Sequence, residues 1–149
     1  MSLEEAWVPV DECAGTGVDT FVYGVQSGGL FYPSNVGMRF GLDTEFSASA
    51  QWRVWHNMQS LIDRGFDPLA ILIDRAHEKG MDFFASMRLG SYTGMDPSHD
   101  LKFGGRGWVN PEVRNHQRDV LKELSIEYPT DGIESVSYTH LTLPTSDLV

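Results

Sequence analysis

The chain has little with which to cross-link itself or to hold an anionic partner. Cys13 is its only cysteine, so it can form no internal disulfide and no cysteine-rich zinc site. Lysine and arginine number 11 against 21 acidic residues, a net charge of −10. Nucleic acid and anionic membranes both require basic surface, so neither is expected as a partner. No apolar run approaches the roughly 18 residues of a membrane-crossing helix. The opening MSLEEAWVPVDE is acidic and lacks the basic-then-apolar order of a signal peptide. Localisation stays open, because exported bacterial proteins often lack disulfides too. What is present is 149 residues, 41% of them apolar, enough for one domain with a core.

The clearest local pattern runs from Asp67 to Arg88, DPLAILIDRAHEKGMDFFASMR. Asp67 can cap a helix whose first position is Pro68, a residue with no N–H to leave unpaired. Leu69, Leu72, Ile73 and Ala76 then share one helical face. Gly80 suits the left-handed stop, and Phe83, Phe84, Ala85 and Met87 predict a strand covered on both sides. Asp19–Val25 predicts an earlier strand, and Met1–Gly17 before it reads as a lead-in from which Trp7, Val8 and Val10 pack. Ser47–Arg64 predicts a helix with Trp52, Trp55, Met58, Leu61 and Ile62 on its buried stripe; two Trp on such a stripe point to packing rather than to a sugar platform. Asn110 and Pro111 repeat the capping device for a helix burying Val113, Gln117, Val120, Leu121 and Leu124. Thr130–Glu134 opens a third strand.

Strands alternating with helices imply a parallel sheet. The loops after strands, Gln26–Phe46 and Leu89–Val109, are long, and those after helices are short. That is the order of a (β/α) barrel, whose active face lies at the strand C-termini. The expected fold is therefore α/β, a partial (β/α)8 TIM barrel with about three parallel strands, the N-terminal part only.

Three motifs occur in order: Ala76-His77-Glu78-Lys79-Gly80, Pro111-Glu112-Val113-Arg114, and Asp131-Gly132-Ile133-Glu134. With Phe21–Tyr23 leading into LFYPS, they resemble the glycoside hydrolase family-10-like proteins, over most of Thr20–Glu134. The resemblance implies a TIM barrel and a carbohydrate substrate or ligand. Val136–Thr145, VSYTHLTLPT, resembles a translated transposase-type adapter from DNA sequencing libraries. Residues 135–149 are accordingly expected to be an appended tail, and residues 1–134 the N-terminal part of a barrel. Tyr138 and His140 are set aside with the tail.

On a barrel, Asp19, Asp82 and Asp131 fall at strand N-termini, the stability face. Glu134 is the candidate catalytic acid or base. Tyr23, Gln26, Arg88 and Tyr92 are the candidate substrate-binding residues. Glycoside hydrolysis uses a pair of carboxyl groups roughly 5 to 9.5 Å apart. Asp96 and Asp100 in the second loop can contribute one, although loop aspartates more often cap turns; otherwise the second carboxylate lies beyond Glu134, and the fragment is expected to be inactive. His77 and His116 read as packing or capping residues. No HxxxH or HxH pair occurs, and GGRG at Gly104–Gly107 lacks the lysine and hydroxyl of a phosphate loop, so neither metal nor cofactor is expected. Two alternatives remain: a non-catalytic barrel holding sugar through Tyr23, Tyr32 and Tyr92, or a complete small α/β domain with Tyr138, Leu141 and Leu143 packed in its core.

Overall fold

The computed structural model describes residues 1–42, 45–46, 48–88 and 110–136. In chain order the elements are α1 (Leu3–Cys13), β1 (Thr20–Gly24), α2 (Ser49–Ile62), α3 (Pro68–Glu78), β2 (Asp82–Arg88), α4 (Pro111–Glu127) and β3 (Gly132–Val136). The strands form one parallel sheet in the order β1-β2-β3. The second long loop, with Tyr92, Asp96, His99 and Asp100, and the segment with Tyr138, Leu141 and Leu143 lie outside the described residues.

The capping signals act as the sequence suggests. The Asp67 carboxylate accepts from the N–H groups of Leu69 and Ala70, and Asn110 Oδ1 accepts from Glu112 N–H. Gly80 takes a φ of 75°, where a Cβ would be strained, while Met81 N–H returns to Ala76 C=O. Leu69, Leu72, Ile73 and Ala76 are all buried.

Two local expectations are corrected. Residues Leu3–Cys13 are a helix rather than a lead-in. Ser2 and Glu5 form a reciprocal capping box at its start, a signal written in the sequence but masked by Pro9 further along. Trp7 lies under the Arg75 guanidinium, and Arg75 also pairs with Asp11, tying α1 to α3. Val10 is fully buried, whereas Val8 is exposed. In α2, Met58 and Leu61 are the buried residues, while Trp52 is 47% exposed and stacked on His56. Only the C-terminal half of α2 reaches the core, so its first tryptophan projects past it.

Among the described residues, helices cover the strand β2 on one face, where the sequence suggests two. Phe83, Ala85 and Met87 have no exposure, whereas Phe84 and Ser86 between them are half-buried. The covered face joins Val10 of α1, Leu69, Leu72 and Ile73 of α3, and Val120 and Leu124 of α4 in one core, with Phe21, Tyr23 and Ile133 packed against it. The opposite face carries Val22, Phe84 and Gly132 in one register row, and Gly24, Ser86 and Glu134 in the next. Val22 there is 51% exposed.

One buried residue opposes this packing. Gln117 of α4 has no exposure, and among the described residues neither Nε2 nor Oε1 meets a hydrogen-bond partner. A buried amide in that state costs about 1 to 3 kcal/mol. The near-isosteric Gln117→Met is therefore expected to raise stability by about 1 kcal/mol, read from the urea midpoint, with an unchanged slope. A lower midpoint would show that the amide is paired.

Candidate functional site

Two of the candidate residues, Glu134 and Arg88, lie toward the strand C-termini on the sheet face away from the described helices. Glu134 is exposed there, beside Ser86 and, beyond it, Gly24. The two neighbours are small, so the carboxylate stands clear of the row. Arg88 lies one step further along the same face of β2, paired in register with Val136. Glu134 is not the last residue of its strand: β3 continues through Ser135 and Val136, because parallel pairing is made by backbone groups and accepts any unstrained side chain.

The other candidates are distributed elsewhere. Tyr23 points to the helix-covered face. Its register partner is Ala85, and its ring packs against Phe21 and Phe83 at 6.5 and 6.3 Å. It therefore does not share a face with Glu134 and Arg88, because period-two alternation places odd and even strand residues on opposite sides. Burial alone pushes its hydroxyl pKa up. Gln26 is 7% exposed and bridges to Leu30 at the start of the loop after β1. Tyr92 lies outside the described residues.

Tyr32 is wholly buried rather than presented to a ligand. Its hydroxyl donates to Glu123 Oε2 at 3.0 Å, Ser34 Oγ donates to the same oxygen, and Asn35 N–H donates to Oε1 at 2.7 Å. Burial, then the Glu123 charge, raises the Tyr32 pKa. Tyr32 packs edge-on against Tyr128, whose hydroxyl donates to Asp67 Oδ2 at 2.7 Å. One inward-facing carboxylate on α4 thus holds the loop that follows β1. A 470 Å³ groove lies beside it, lined by Asn35, Val36, Asp119, Lys122, Ile126 and Glu127 as well as Glu123. Nothing in the sequence marks Glu123 as buried except its place next to Leu124 on an amphipathic helix.

At the other end of the sheet two of the quoted motifs meet. Asp131 Oδ2 accepts from Phe83 N–H and contacts His77 Nε2, both at 2.8 Å. Gly132 leaves room for the Phe84 ring, which would lie 2.6 Å from a Cβ there. The histidine of the first motif and the Asp-Gly of the third therefore pin α3, β2 and β3 together at the strand N-termini. The Phe83 N–H, then His77, holds the Asp131 carboxyl below the ordinary aspartate pKa of 3.8. A lowered folded pKa stabilises the fold above the unfolded value and ceases to as pH falls through the folded one. Asp131→Asn is expected to flatten the loss of stability between about pH 5 and about pH 2, measured as urea midpoints across that range. An unchanged acid limb would remove Asp131 from the account.

Among the described residues, no group of three His, Cys, Asp or Glu is placed to hold a metal ion. No helix of the described residues is long and apolar enough to cross a membrane. Compared with known protein-family models and with curated proteins, the chain matches none.

Proposed function

We propose that the chain is the N-terminal part of a TIM barrel of the glycoside hydrolase-like kind, acting on a glycan at the open sheet face with Glu134 as an acid or base. The observation that carries this reading is the Gly24-Ser86-Glu134 row: one carboxylate at its end, with only small residues beside it, on the face that the described helices leave uncovered. In a barrel that face is the interior, and its C-terminal end bears the chemistry. Arg88, one step toward that end, is suited to orient a sugar hydroxyl or a second carboxylate. The pin between His77 and Asp131 lies at the opposite end, so the motif resemblance bears on the framework more than on the reaction.

In this reading the chain by itself is inactive, because Glu134 has no described carboxylate partner across the face, and hydrolysis uses two. The alternative of a sugar-holding barrel without chemistry loses support, since Tyr32 is buried and Tyr23 faces the helices. The test is to recover the coding sequence that continues from Glu134 in place of the adapter-like segment, express it, and assay it on a panel of polysaccharides and aryl glycosides. Hydrolysis is expected there, reduced about 100- to 10,000-fold by Glu134→Gln. Full activity in that variant would reject the role of Glu134. Binding without hydrolysis would favour the non-catalytic reading.

A further inference from the structure

A second cavity lies on the covered side of the sheet, away from Glu134 and Arg88. It measures about 200 Å³ and lies between α1, α2, α3 and β1, partly open to solvent, with Ala6, Phe31, Met58, Leu61 and Leu72 in its wall. The Tyr23 side chain also lines it. Among the described residues, no hydrogen bond is made to the Tyr23 hydroxyl, and burial is the one influence on its titration. Phenolic hydroxyls in apolar surroundings usually find a partner. Tyr23 is the one hydroxyl-bearing residue in a lining that is mostly apolar and also includes Met1, Glu5 and Asn57, so it is the hydroxyl available to select among ligands there.

The dimensions and lining define the guest. An apolar cavity of about 150 Å³ admits benzene. A cavity of about 200 Å³ takes one ring with a small substituent. Phe31 and the Met58 thioether favour an aromatic ring. Glu5 stands in the wall, the Met1 ammonium beside it is engaged by Ser60 Oγ, and the whole chain is acidic, so an anionic substituent is disfavoured. We infer that this cavity is a binding site for a neutral single-ring phenol, whose hydroxyl exchanges a hydrogen bond with Tyr23 while its ring lies among Phe31, Met58 and Leu72. The site is separate from the glycan face and stands whether or not the chain belongs to a hydrolase.

Fluorine NMR on the full chain with 4-fluorophenol, fluorobenzene and 4-fluorobenzoate tests this. 4-Fluorophenol is expected to bind about tenfold more tightly than fluorobenzene, the value of one added hydrogen bond, and 4-fluorobenzoate not detectably. Tyr23→Phe keeps the ring packing and is expected to bring the first two probes within about twofold of each other. Val54→Trp, a change at an exposed position of the cavity wall, is expected to weaken both by obstructing entry, with the urea midpoint confirming that the fold persists. Absence of binding by either neutral probe would overturn the inference. So would equal affinity of the two for the unmodified chain, or a preference for the phenol that survives Tyr23→Phe.

Discussion

Replacing Glu123 with alanine is expected to cost about 3 kcal/mol and to release the loop between β1 and α2. Its carboxylate receives Tyr32, Ser34 and Asn35, and only Tyr32 is wholly buried. Asn35 is exposed and Ser34 half-buried, so water can replace the lost acceptor for them. Water cannot easily do so for Tyr32, and an unpaired buried hydroxyl accounts for about 1 to 3 kcal/mol. The space vacated by the longer side chain adds to that cost. Glu123→Gln keeps an acceptor oxygen of the same reach and should cost only about 1 kcal/mol. Urea unfolding gives the energies, and limited proteolysis between Pro33 and Leu42 reports the loop. Should Glu123→Ala match the parent chain in both, the loop is held by its apolar residues alone.

Phe83→Ala is expected to cost about 4 kcal/mol, the range for deleting a fully buried aromatic ring. Phe83 has no exposure and meets both Phe21 and Tyr23 at the centre of the sheet. Domains of this size are stable by about 5 to 15 kcal/mol, and a sheet of three strands with, among the described residues, no further strand at either edge and helices on one face belongs at the low end. The variant should therefore be largely unfolded at room temperature. Val22→Ala, on the opposite face with a half-exposed side chain, should change stability by about 0.5 kcal/mol or less. The contrast between two residues of paired strands measures how one-sided the packing is. Equal costs at Val22 and Phe83 would mean that something covers the open face in solution.

The same asymmetry separates what could be read early from what could not. The helices at Pro68 and Pro111 were legible because their signals are local: a capping side chain, a proline at the first position, and apolar spacing. The parallel order of the strands followed from their alternation with helices. The helix α1 is equally local in its Ser2-Glu5 box, but Pro9 inside it runs against helical propensity. The face of Tyr23 was not legible. Alternation says that Val22 and Tyr23 point opposite ways, and it does not say which way the helices lie. Glu123 was not legible either, since its partner Tyr32 is 91 positions distant and its own surroundings resemble any exposed helix face.

Helix starts and stops, and the succession of strands and helices, depend on neighbours a few positions apart, so they are encoded where they occur. Which side of the sheet is dry, where Glu134 and Arg88 stand relative to Tyr23, and that His77 meets Asp131 depend on groups far apart in the chain. Burial is a property of the assembled layers, and only their packing decided which tyrosines are interior and which carboxylate faces the solvent.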